Sequence, residues 1–84
     1  MMNDITTDAE LDCVGLYCPV PIAQTRAEID RIGPGQVLKV TADDPAAEED
    51  FPRWARRTGH EILRMEKESD KGGAILTFYI KKRN

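Results

Sequence analysis

The feature that most constrains the fold is a Cys-Pro-Val-Pro sequence at residues 18–21, which follows a strand-like segment at residues 9–13 and a glycine at position 15. Proline lacks an amide N–H, and its φ angle is preset near the helical value. Pro19 therefore suits the first position of a helix, and Pro21 falls within the first turn. We predict a strand, a turn at Gly15 and a helix that has Cys18 as its N-cap.

Cys18 is the candidate functional residue. The aligned peptide dipoles of a helix give its N-terminus a partial positive charge, which favours an anion there. Thiolates at helix N-termini have lowered pKa values and react as nucleophiles. We therefore predict that Cys18 is a reactive, partly exposed thiolate. The alternative interpretation is a small buried side chain with no role in chemistry.

The residues that follow predict a βαβ unit. Within residues 19–32, four side chains share one helical face and are expected to cover a sheet: Ile22, Thr25, Ile29 and Ile32. The Gly-Pro-Gly sequence at residues 33–35 ends this helix. Residues 36–42 are mostly apolar and β-prone, and they predict a second strand. Two strands joined by a crossover helix are expected to be parallel.

A second helix is predicted after Asp43 and Asp44, which are acidic cap candidates followed by a proline. A proline in a helix interior costs about 3 kcal/mol. Pro52 therefore predicts a kink or restart near residue 50, with the main helix running to residue 58. We expect the ring of Trp54 to pack on the sheet, together with Phe51.

The last part of the chain predicts a β-hairpin, with strands at residues 60–67 and 74–81 and a loop at residues 69–73 that contains two glycines. The complete prediction is a two-layer α/β (α+β) sandwich in the order βαβαββ. Its four-stranded mixed sheet carries two helices on one face. The other sheet face is left more exposed, and we expect Tyr79 or Met65 to contact a partner there.

Length and charge limit the classes of function. Eighty-four residues predict a single domain over residues 1–84, with residues 1–8 as a flexible leader. The net charge of −3 disfavours direct binding to nucleic acid. We find no signal peptide and no membrane span, so we expect a cytoplasmic protein. Two cysteines and one histidine are too few for a closed zinc site, and no cofactor motif is present.

Seven short motifs occur in the order and spacing of a known family. With these motifs the sequence resembles the TusA/SirA-like sulfur carrier family over residues 9–82. The matching motifs are Leu11-Asp12, Gly15-Leu16, Cys18-Pro19-Val20-Pro21, Pro34-Gly35, Asp43-Asp44-Pro45-Ala46, Asp50-Phe51-Pro52 and Gly59-His60-Glu61.

The resemblance implies that Cys18 carries sulfane sulfur as a persulfide. The motif residues that shape its loop are then Asp12, Gly15, Pro19 and Pro21. The implied partners are a cysteine desulfurase or another sulfur donor, and a downstream sulfur-relay protein, as in the formation of 2-thiouridine in tRNA. On this view the chain is a substrate of sulfurtransferases rather than an enzyme, and we expect a monomer.

Two other functions are compatible with the sequence. A thiol redox protein would cycle a disulfide between Cys13 and Cys18, which requires Cα atoms within about 7 Å of each other. A regulatory module would bind partners through its sheet face and would not use the thiol. Unless the protein is a thiol redox protein, we expect Cys13 to be a buried residue at a strand end. We expect His60 to make a structural hydrogen bond.

Overall fold

A computed structural model describes residues 6–17, 19–70 and 73–83. Within these ranges the chain forms four strands and two helices in the predicted order βαβαββ. The elements are β1 (Ala9–Cys13), α1 (Val20–Ile29), β2 (Val37–Ala42), α2 (Ala47–Thr58), β3 (Glu61–Asp70) and β4 (Gly73–Lys81). None of the helices in the described ranges is long and apolar enough to cross a membrane.

The sheet is mixed, as predicted, with the strand order β1-β2-β4-β3. Strands β1 and β2 are parallel, and Leu11 lies opposite Val40. Strand β4 is antiparallel to both of its neighbours, and Phe78 lies opposite Val40 on one side. Asp8, the last residue of the predicted leader, extends the pairing of β1 with β2, because its backbone N–H donates to the carbonyl oxygen of Val37 (2.8 Å).

Helix α1 begins at Val20, one residue later than predicted, and Pro19 occupies the N-cap position. The N–H of Val20 donates to the carbonyl oxygen of Tyr17 (2.9 Å), and the N–H of Ala23 donates to that of Pro19 (3.0 Å). The Pro19 carbonyl is therefore the first helical acceptor, which defines the N-cap. Cys18, the predicted N-cap, lies outside the described residues.

The same helix ends at Ile29, before the predicted end at residue 32. The N–H of Arg31 donates to the carbonyl oxygen of Glu28 (3.0 Å). This bond joins residues three apart, as in a 3₁₀ turn, and such turns often end α-helices. The predicted buried face is largely confirmed, because Thr25 and Ile29 are fully buried and Ile22 is half-buried.

Helix α2 is continuous from Ala47 to Thr58, so it does not restart near residue 50 as predicted. Pro52 lies inside the helix and removes one backbone donor. Burial of Phe51 and Trp54 on the sheet offsets this cost, since each buried aromatic side chain contributes about 1.5–3 kcal/mol. Tertiary packing thus outweighs the local tendency of proline to interrupt a helix.

The core lies between the two helices and one face of the sheet. The ring of Phe51 stacks on that of Phe78, with centroids 4.5 Å apart and an angle of 10° between the planes. Trp54 meets the Phe51 ring edge-on at 6.5 Å. The predicted packing of Trp54 and Phe51 is confirmed. Leu76 and Ile80 are buried on the same sheet face as Phe78.

The opposite sheet face differs from the prediction. Tyr79 lies on this face but is only 5% exposed, and the ammonium group of Lys39 lies 6.0 Å from its ring centroid. Met65 lies opposite Phe78 on the neighbouring strand, so its side chain is on the helix-bearing side of the sheet. Tyr79 is therefore buried and Met65 lies on the other face, so neither residue presents an exposed side chain on the open face as predicted.

Thr25 supplies a test of the core. Its hydroxyl group is fully buried and has no hydrogen-bond partner among the described residues. A buried polar group without a partner costs about 1–3 kcal/mol. We expect Thr25→Val, which removes the hydroxyl at similar volume, to raise the free energy of unfolding by about 1 kcal/mol in urea denaturation.

Thr58→Val is the matched control, because the Thr58 hydroxyl donates to the carbonyl oxygen of Trp54 (2.8 Å). This variant is expected to be no more stable than the wild type. A Thr25→Val protein that is equally stable or less stable than the wild type would contradict the assignment of an unpaired hydroxyl.

Candidate functional site

The loop between β1 and α1 is shaped by the residues that the sequence motif singled out. The backbone N–H of Val14 donates to Oδ1 of Asp12 (2.9 Å), and that of Leu16 donates to the carbonyl oxygen of Cys13 (3.1 Å). Gly15 has a φ angle of +90°, and a Cβ atom there would meet no atom within 4 Å. Glycine is favoured here by its backbone conformation and not by lack of space.

Asp43 fixes this loop from a distant part of the chain. Its Oδ1 accepts a hydrogen bond from the backbone N–H of Gly15 (2.9 Å). The sequence predicted Asp43 and Asp44 as helix caps, but neither is one, because the N-cap of α2 is Ala46 and no side chain caps the helix. Asp44 lies two residues before that N-cap, and its Oδ1 accepts a hydrogen bond from the N–H of Ala46 (3.1 Å). The predicted parallel pairing of β1 with β2 is the feature that could have indicated the bond between Asp43 and Gly15, because residues that follow two parallel strands meet at one edge of the sheet.

The residues around position 18 are exposed. Tyr17 is 70% exposed, Val14 is 44% exposed, and Val20 and Pro19 are also exposed. Cys18 itself lies outside the described residues, so its place as the site residue stays a prediction. Exposed apolar side chains that surround one loop are typical of a surface that binds a protein partner.

Cys13 differs from its surroundings in being completely buried, at the carboxyl end of β1. Burial raises the pKa of the Cys13 thiol above its ordinary value, and the neighbouring carboxylate of Asp12 raises it further. The thiolate is the reactive form of cysteine. Cys13 is therefore a neutral, shielded thiol at pH 7, and its prediction as a buried residue at a strand end is confirmed.

Two grooves begin at the residues on either side of position 18. The first, which we call the hairpin groove, has a volume of about 540 Å³ and extends from Tyr17 past Asp43 and Glu48 to β4. The second, which we call the helix groove, has a volume of about 590 Å³. It lies between α1 and α2, and extends from Pro19 to His60 and Arg83.

His60 lies at the far end of the helix groove. Its Nδ1 accepts a hydrogen bond from the backbone N–H of Arg83 (3.1 Å), and its ring centroid is 5.3 Å from that of Trp54. The predicted structural hydrogen bond is confirmed. Burial lowers the pKa of the His60 imidazole, the charges of Arg83 and Lys82 lower it further, and Asp30 acts in the opposite direction.

This pKa shift predicts a pH effect on stability. The unfolded chain binds the imidazole proton more tightly than the folded chain does. The contribution of His60 to the free energy of unfolding is therefore largest above about pH 6.5 and decreases as the pH falls below that value. Because His60 is the single histidine, its titration can be followed without ambiguity by NMR of the ring protons. We expect a midpoint below 6.5, and a midpoint at or above 6.5 would contradict the assignment.

His60→Gln is the control for the effect on stability. Glutamine keeps an acceptor near the N–H of Arg83 but does not titrate. The decrease in stability that His60 causes below pH 6.5 is therefore expected to disappear in this variant.

Among the described residues, no group of three or more histidine, cysteine, aspartate or glutamate side chains is placed to hold a metal ion. The charged groups near the loop instead bond to the backbone, as Asp12, Asp43 and Asp44 do. What the arrangement offers chemically is an exposed loop next to a helix N-terminus.

The sequence is similar to those of known proteins. The family model described as "Sulfurtransferase TusA" matches residues 9–82. The "Sulfur carrier protein TusA" of Allochromatium vinosum is 41% identical over 75 residues, which cover 89% of this chain and 93% of that protein. The protein with the same name from a Pseudomonas putida strain is 38% identical over 68 residues, covering 81% and 85% of the two chains.

The fold is also found in a solved structure. The crystal structure of a SirA-like protein from Desulfitobacterium hafniense superposes with a TM-score of 0.66, at 20% sequence identity. The match covers 89% of this chain and 99% of that one. The fold follows from this structural match, and the family follows from the sequence matches. The chain belongs to the TusA family of sulfur carrier proteins.

Proposed function

We propose that this protein carries sulfane sulfur as a persulfide on Cys18, in the cytoplasm and as a monomer. It accepts the sulfur from a cysteine desulfurase or another donor and passes it to a downstream relay protein, as in the formation of 2-thiouridine in tRNA. It does so as a substrate of its partner enzymes and makes no direct contact with nucleic acid.

The observation that carries this proposal is the contrast between the two cysteine positions. Cys13 is buried and its thiol is neutral, whereas Cys18 lies between two exposed residues, Tyr17 and Pro19. A sulfur carrier needs a thiol that two different partners can reach. The redox alternative, which needs a reactive Cys13, is disfavoured by the same contrast.

The chemistry of the helix N-terminus supports a thiolate at Cys18. Pro19 and Pro21 have no N–H, and the N–H of Val20 donates to the carbonyl oxygen of Tyr17. The first turn therefore provides few backbone donors, and the macrodipole of α1 is the main source of stabilisation for an anion near it. A persulfide is more acidic than a thiol and gains from the same field.

The test is sulfur loading in vitro. The protein is incubated with a cysteine desulfurase and cysteine, and its intact mass is then measured before and after reduction with dithiothreitol. We expect a gain of one sulfur atom that reduction removes, and peptide mapping should place it on Cys18. No gain, or a gain on Cys13, would overturn the proposal.

A further inference from the structure

The helix groove has the size and position of a small-molecule site. Its volume of about 590 Å³ lies within the range of about 300–1,000 Å³ that is usual for ligand pockets. Trp54 and Ile29, both buried, form part of its lining. The groove runs beside α1, whose 10 residues span about 15 Å. One end is Pro19, the residue that follows Cys18 in the chain.

The charge of this groove is opposite to that of the whole protein. Arg26, Arg57 and Arg83 line it together with a single carboxylate, Asp30, in a chain of net charge −3. Arg83 is held in place because its Nη1 donates to the carbonyl oxygen of Thr58 (2.9 Å).

Among the described residues, none of these three cations forms an ion pair with a carboxylate. By contrast, Arg31 lies 3.7 Å from a carboxylate oxygen of Glu28, and Arg53 lies 3.5 Å from one of Asp50. Guanidinium groups bind carboxylates through two parallel hydrogen bonds. The lining therefore suits a ligand that carries more than one carboxylate.

We propose that the helix groove binds a low-molecular-weight persulfide that carries carboxylates, and that Cys18 takes its outer sulfur directly, without a donor protein. The inference rests on the proposed function, since it needs a reactive thiol at Cys18. It adds a second class of sulfur donor and assigns the residues that recognise it.

The transfer is balanced and needs no oxidant. The Cys18 thiolate attacks the outer sulfur of R–S–SH, a new S–S bond forms at Cys18, and the S–S bond of the donor breaks. The electron pair of the broken bond leaves on R–S⁻, and the proton stays on the transferred sulfur. The low-molecular-weight thiolate then departs from the groove.

The first experiment measures binding without reaction. S-methylglutathione, which carries two carboxylates and no free thiol, is titrated into the protein while the fluorescence of Trp54, the single tryptophan, is recorded. We expect saturable binding that weakens with salt. The double variant Arg26→Gln/Arg57→Gln should weaken it about tenfold or more, because two charge-assisted hydrogen bonds are lost.

The matched control is Arg31→Gln/Arg56→Gln, which removes the same charge from the same two helical regions but outside the groove. It should bind S-methylglutathione as the wild type does. Equal weakening in both double variants, or no binding to the wild type, would overturn the proposal.

The second experiment measures transfer. Glutathione persulfide should load one sulfur on Cys18 faster than the neutral 2-hydroxyethyl persulfide does, and Arg26→Gln/Arg57→Gln should remove this preference. If that variant loses only loading by the desulfurase, the groove is a protein-docking surface and the proposal is wrong. If no donor loads Cys18, the proposed function is wrong. The binding of S-methylglutathione does not depend on Cys18, so it tests the groove separately.

Discussion

Replacing Cys18 with serine is expected to abolish sulfur uptake from a cysteine desulfurase, with no gain in mass under conditions that load the wild type completely. A serine hydroxyl is not ionised at neutral pH and cannot form a persulfide. The loss should be total and not partial, because Cys13 is fully buried and its raised pKa keeps the thiol neutral. Intact-mass spectrometry after the desulfurase reaction is the measurement.

Cys13→Ala is the matched control for this experiment. Alanine is preferred to serine there, because a hydroxyl group at a fully buried position would add the cost of an unpaired polar group. We expect Cys13→Ala to take up sulfur at the wild-type level. If both variants fail, the two cysteines act as a pair, and a thiol redox protein becomes the better account. Full uptake by the Cys18→Ser variant would refute the carrier role of Cys18.

Phe51→Ala is expected to lower the free energy of unfolding by about 3–5 kcal/mol, the usual cost of removing a fully buried phenylalanine side chain. The ring of Phe51 stacks on Phe78 at 4.5 Å and also meets the edge of Trp54. Its loss removes the contact that holds α2 on the sheet despite the internal proline at position 52. Urea denaturation followed by circular dichroism provides the measurement.

Tyr17→Ala serves as the matched aromatic control, since Tyr17 is 70% exposed. A substitution of this kind on the surface usually changes stability by no more than about 0.5 kcal/mol. A loss of less than about 1 kcal/mol in Phe51→Ala would show that Phe51 does not anchor α2.

Local sequence patterns were sufficient for most of the element assignments. The alternation of Leu11 and Cys13 with polar residues predicted β1 with the bounds that the structure has. Helix ends were less well predicted. The start of α1 depends on which backbone carbonyl accepts the first helical hydrogen bond, and the sequence allows either Pro19 or Val20 as the first helical residue. The family was indicated by seven short motifs in a fixed order and spacing along the chain, including the one around Cys18.

Contacts between distant residues decided the rest. Asp43 bonds to Gly15 across 28 positions, and Tyr79 is buried although it lies on the open sheet face. Neither result follows from periodicity, since both depend on which strands become neighbours in the order β1-β2-β4-β3. The continuity of α2 through Pro52 likewise required the packing of Phe51 on Phe78.

The sequence by itself determined the order of elements, the family and the cysteine to test, because turns, periodicity and motif spacing are local properties of the chain. Only the tertiary structure decided the setting of the site. It bonded the loop to Asp43, and it brought Arg26 and Arg57 from two separate helices to one groove. Burial and electrostatic environment are sums over neighbours that are distant in sequence, so they exist only after the helices have packed on the sheet.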